Sequence, residues 1–107
     1  MTYTFPSHIT GDTYRGAVIT IRDENQVPIN LVGATVRIRF RFGSKSGNQF
    51  RDLTISVTNG AAGEITIPAQ IINWNAGLWF YDMEVTLSGV VTTYMEGTMR
   101  IIQSTTN

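Results

Sequence analysis

The sequence predicts an all-β domain built as a two-layer sandwich, and three observations carry that prediction. Apolar and polar side chains alternate over most of the chain, turn residues interrupt the alternation at short intervals, and no stretch holds helical periodicity long enough to pack a helix. At 107 residues the chain has material for one hydrophobic core, so residues 1–107 are expected to form a single domain.

The elements follow in order. Residues 17–22 form a short β-branched run, closed by the polar turn Asp23-Glu24-Asn25-Gln26. Residues 27–31 come next, and Pro28, which cannot donate to a ladder, marks them as an edge or a connector. The strongest local signal is residues 34–42, where Ala34, Val36, Ile38, Phe40 and Phe42 alternate with Thr35, Arg37, Arg39 and Arg41. On a strand this buries one row and turns a ladder of guanidinium groups outward. Residues 43–48 are polar and Gly-rich, the loop with the strongest flexibility signal.

Residues 50–58 alternate through Leu53, Ile55 and Val57 and read as one strand, ended by the turn dipeptide Asn59-Gly60. Residues 64–68 are a brief return strand, and 68–74 carry the one candidate helical turn, opened by Pro68 and stopped by Asn73, Asn75 and Gly77. Residues 78–87 place Trp79, Tyr81, Met83, Val85 and Leu87 on one face and Asp82, Glu84 and Thr86 on the other. Ser88-Gly89 turns the chain into a hairpin partner at 90–95, Glu96-Gly97 interrupts, its Gly suggesting a bulge or a close backbone approach, and 98–102 resumes extended. Short strands at this spacing give an immunoglobulin-like antiparallel β-sandwich of about seven strands, its core held by Trp79, Tyr81 and Phe40 in place of a disulfide.

Composition narrows the function classes. Eight basic and eight acidic side chains cancel, so there is no general electrostatic pull toward nucleic acid or an anionic membrane. Cysteine is absent, which removes disulfides and thiolate metal sites. The first five residues show no basic and apolar leader pattern, and no apolar run approaches the roughly 18 to 20 residues of a membrane span, so a soluble product of the cytoplasm is expected.

The search for chemistry is brief. His8 is the single histidine, which excludes multi-histidine metal sites within one chain, and it reads as a loop residue. Asp82 and Glu84 share one strand face, and glycosidases work with two carboxylates, but a neighbouring strand bearing Arg37, Arg39 and Arg41 accounts for them better as a cross-strand ion-pair ladder. The three arginines are either solvated and paired within the chain or part of a protein interface. Asp12 and Asp23 sit in turns without the offsets of a calcium loop, and no phosphate-binding or nucleophile motif is present. Trp74, Trp79, Phe80 and Tyr81 are either core or, if exposed, a carbohydrate platform. The expectation is therefore no enzyme, no metal and no cofactor, with Arg37, Arg39, Arg41 and Trp74 as possible interface residues.

A family resemblance adds to this. Gly11-Asp12-Thr13-Tyr14, then Ile21-Arg22-Asp23-Glu24-Asn25 and Pro28-Ile29-Asn30-Leu31-Val32-Gly33-Ala34-Thr35-Val36-Arg37, resemble the N-terminal domain of phage baseplate upper proteins and related small phage tail proteins. Gly77 to Val85, Gly89 to Tyr94 and Gly97 to Ile101 are similar to the later half of such domains. The resemblance implies an immunoglobulin-like sandwich that is part of a virion, made in the host cytoplasm. Its implied partners are further copies and tail, baseplate or capsid proteins, with no nucleic acid and no membrane. Baseplate upper proteins continue into receptor-binding regions, whereas this sequence ends soon after Ile102, so the expectation is a stand-alone structural subunit. The competing expectation is a carbohydrate- or surface-binding module.

Overall fold

The computed structural model describes residues 5–103; the readings made on residues 1–4 and 104–107 lie outside them. Ten strand segments follow in chain order: β1 (His8–Ile9), β2 (Thr13–Tyr14), β3 (Ala17–Thr20), β4 (Thr35–Phe42), β5 (Phe50–Asp52), β6 (Ser56–Asn59), β7 (Glu64–Ile67), β8 (Gln70–Ile71), β9 (Gly77–Leu87) and β10 (Val90–Ile102). One sheet runs β1-β10-β9-β4-β5, and a second runs β3-β7-β6 with a short ribbon β2-β8 beside it. Because β2 leads into β3 at Gly16 while β8 continues β7 after Pro68 and Ala69, the ribbon prolongs the β3-β7 pair. The break at Gly16 is steric: its φ is +91°, and a Cβ there would lie 2.5 Å from the Ile67 carbonyl oxygen.

Neighbours β4-β9-β10 on one layer and β3-β7-β6 on the other reproduce the C-F-G and B-E-D order of immunoglobulin-like sandwiches, with β5 as an added edge. The all-β sandwich is therefore the fold. One pairing departs from the expected antiparallel pattern: β1 lies parallel to β10, with His8 beside Ile101 and Ile9 beside Ile102.

A single buried cluster fills the space between the layers. Ile19, Ile21, Ile65 and Ile67 come from the smaller layer, and Ile38, Phe40, Trp79, Tyr81, Met83, Met95, Met99 and Ile101 from the larger. Each fully buried large side chain contributes about 1.5 to 3 kcal/mol, which is how the domain holds together without a disulfide. Phe5 closes one side, its ring 5.0 Å from Tyr81 and 5.3 Å from Phe40.

Three local expectations need correction. Residues 50–58 are two strands in different sheets, because Leu53 is buried at the crossing and carries the chain from β5 to β6. Residues 68–74 hold no helical turn; β8 pairs with β2, and Ile72 and Trp74 are buried while Ile71, Asn73 and Asn75 are exposed, an alternation that only extended backbone gives. Among the described residues the one helical turn is the 3-10 segment Gly60–Ala62, whose Ala62 amide donates to the Asn59 side chain. The irregularity in the last strand falls between Thr93 and Met95, not at Glu96-Gly97, and β10 is otherwise continuous. Of the two alternatives for residues 27–31 the connector holds, since they form no named strand and meet a neighbour through an isolated Arg22 to Pro28 bridge.

Candidate interaction surface

The outward face of the larger sheet is built by the β4 alternation. Register places Arg37 opposite Glu84, Arg39 opposite Asp82 and Arg41 opposite Phe80, but of the expected cross-strand ion-pair ladder only the Arg37 to Glu84 rung forms among the described residues. Arg37 bonds Glu84. Arg39, in contrast, turns the other way and grips Asp52 of β5 with two bonds of 2.7 and 3.1 Å, its guanidinium also lying 4.0 Å above the Phe50 ring. Arg41 donates to the Gly47 carbonyl at 3.0 Å, and Lys45 reaches Glu96 at 3.3 Å. The arginines are thus paired within the chain, and the sequence reading missed Asp52 and Phe50 because the edge strand that carries them follows a loop.

This arrangement leaves Asp82 without an ion pair among the described residues. Its direct neighbour on β10 is Glu96, a like charge. Partial burial, followed by repulsion from Glu84, raises its pKa above the ordinary aspartate value, with Arg37 and Arg41 opposing. Asp52 moves the other way, lowered first by its hydrogen bond to Arg39. A raised folded pKa means that ionising Asp82 costs stability above that pKa, and that this cost vanishes below the unfolded value. Asp82→Asn is accordingly expected to stabilise the domain by about 0.2 to 1 kcal/mol at neutral pH. In urea melts the gain should shrink as pH falls through the carboxylate range; a variant no more stable than the parent at pH 7 would contradict the assignment.

Asp82 and Glu84 do not converge on a shared cleft; the Arg37 bond holds Glu84, and the space beside Asp82, among Arg39, Arg41 and Lys45, amounts to about 30 Å³. No group of three or more metal-ligating side chains occurs among the described residues. Trp74, expected as a possible interface residue, is turned inward: it is only 8% exposed and packs 5.0 Å from Phe40 and 5.2 Å from Trp79. Trp79 and Tyr81 are buried as well, so these aromatics present no flat platform. His8 bonds the Asp12 carbonyl at 2.9 Å.

The open surface lies elsewhere, at the β9–β10 hairpin. Along β10 one side is paired to β9, but on the other side β1 covers only Ile101 and Ile102, and no other described strand pairs there. Residues 90–100 therefore present an unpaired backbone edge, the feature that most proteins shield. Its tip is apolar, with Val90 64% and Val91 57% exposed. Beneath Thr92, Thr93 and Tyr94 a cavity of about 370 Å³ opens against Arg22, Asp23, Glu24 and Gln26. That wall is shaped by Asp23, whose carboxylate accepts from the Asn25 and Val27 amides in an Asx-type turn. A hairpin reading alone could not find this edge, because its exposure depends on how short β1 is. Compared with known proteins, the chain matches no protein-family model and no curated protein.

Proposed function

We propose that the chain is a structural subunit of a bacteriophage particle, in the tail or baseplate or associated with the head, and that it works through protein–protein contacts without catalysing a reaction. The observation that carries this reading is the uncovered β10 edge with its apolar tip: an extended backbone with free donors and acceptors is fitted to strand addition or sheet packing. The resemblance of Pro28 to Arg37 and of Gly77 to Val85 to phage tail proteins supplies the setting. Partners in this reading are other virion proteins and further copies of the chain. The carbohydrate alternative loses its support, since Trp74, Trp79 and Tyr81 are buried.

Peptide mass spectrometry of purified particles tests the proposal. The chain is expected among the particle proteins in many copies per particle. Its recovery solely from the soluble lysate, with particles complete without it, would overturn the assignment.

A further inference from the structure

We infer that the tip of β10 pairs with the same strand of a second copy, antiparallel about a two-fold axis at Thr92, joining two sandwiches through one continuous sheet. This rests on the reading of the chain as a contact module and names its partner.

The argument begins with what the edge requires. An added strand must be extended, must bring its own unpaired backbone groups, and must not place like charges opposite one another. The uncovered stretch from Val90 to Tyr94 meets all three demands toward itself. It is β-branched or aromatic throughout and carries no charged side chain, and β9 already holds Val90 to Thr93 extended, the bulge at Tyr94 ending the regular stretch. Antiparallel pairing centred on Thr92 sets Thr92 against Thr92 and Val91 against Thr93 of the second copy, with Val90 beside the Tyr94 bulge, so exposed valines gain neighbours and no charge meets a like charge.

Neighbouring registers are worse. A one-residue slip turns inward side chains against outward ones. Centring on Glu96 sets two carboxylates face to face, and moving further brings the second copy against His8 and Ile9, which already occupy the edge at Ile101 and Ile102. The other layer also has an open edge, β6, but it is four residues long against thirteen in β10, and both strands carry one irregularity. With a formal net charge of zero, two copies approach without overall repulsion. A two-fold contact of this kind closes at a dimer, whereas β10 against β6 would propagate into a filament.

The test uses the absence of cysteine. In the proposed register the two Thr92 Cα atoms lie about 4.5 to 5.5 Å apart, within the range that a disulfide spans. Thr92→Cys is expected to give a covalent dimer under mild oxidation, and Ser56→Cys on the exposed β6 edge only a small fraction of that yield. Light scattering should show a dimer for the parent chain and a monomer for Thr92→Lys, whose thermal midpoint should match that of the parent diluted until it is monomeric, because Thr92 is exposed. A parent that stays monomeric at high concentration, equal cross-linking of both cysteine variants, or a ladder of open oligomers would each overturn the inference. A monomer in solution that is nevertheless found in particles removes the self-pairing and leaves the virion reading; a dimer absent from particles does the reverse.

Discussion

Trp79→Ala is expected to cost about 3 to 5 kcal/mol of folding stability, a large share of the roughly 5 to 15 kcal/mol available to a domain of this kind. Trp79 has no exposed surface, and its ring lies 5.1 Å from Phe42 and 5.2 Å from Trp74. Its indole N–H donates to the Asn75 carbonyl at 2.9 Å, which ties the segment before β9 to the core. Truncation therefore removes transfer free energy, leaves a cavity between rings that cannot all collapse into it, and strands a carbonyl. Trp79→Phe keeps most of the volume and loses the hydrogen bond, so its cost should be smaller by about half or more. Urea denaturation followed by circular dichroism measures both. A midpoint for Trp79→Ala within error of the parent would mean that this ring is not part of the core.

The same residue has a consequence for the outward face. Phe42 is the register partner of Trp79, and their contact fixes the end of β4 against β9. Register on one face of a strand is register on the other, so the ring pair that is hidden inside also aligns Arg37 with Glu84 outside.

That coupling explains which parts of the molecule were legible in the sequence. Strict alternation from Thr35 to Phe42 and from Trp79 to Leu87 assigns each side chain to a face, and two such strands in one sandwich make the Arg37 to Glu84 pair readable. The partner of Arg39 was not readable. Asp52 reaches it from β5, and nothing local to Phe50-Arg51-Asp52 says that these residues, and not residues 53–58, continue the sheet beyond β4. The divide falls at Leu53, where burial of a single side chain carries the chain between layers, a tertiary effect that period-2 counting reads as uninterrupted strand. Pro68 misled in the opposite sense. It is a sound helix-opening signal, yet Ile72 and Trp74 both need burial, and residues two apart reach the same side only on extended backbone. Trp74 itself shows the limit of residue identity: a tryptophan near a turn serves equally as surface platform or core plug, and only the rings of Phe40 and Trp79 around it decide. The open β10 edge is further still from the local sequence, being a property of how few residues β1 contributes.

Gly63→Ala is expected to cost about 2 to 4 kcal/mol, and the reason lies in the wall of the β10 cavity. Gly63 ends the 3-10 turn with φ +70°, and a Cβ there would fall 2.7 Å from the Ile29 carbonyl oxygen and 2.8 Å from that of Ile21. Those atoms belong to a stack in which Ile29 donates to Ile21 at 2.9 Å and Ile21 donates to Gly63 at 2.8 Å, so the backbone cannot retreat without breaking bonds. The stack fixes both ends of the Arg22 to Gln26 turn, and loosening it should raise hydrogen exchange at the Ile21 and Ile29 amides first. Gly89→Ala supplies the comparison: its φ is +81° but nothing lies within 4 Å of the added carbon, so it bears only the conformational cost of about 1 to 2 kcal/mol. The difference between the two variants in denaturant isolates the clash from the dihedral. Equal losses would show that the Ile21 and Ile29 carbonyls yield freely, and that the turn beside the β10 edge is held by something other than this close backbone contact.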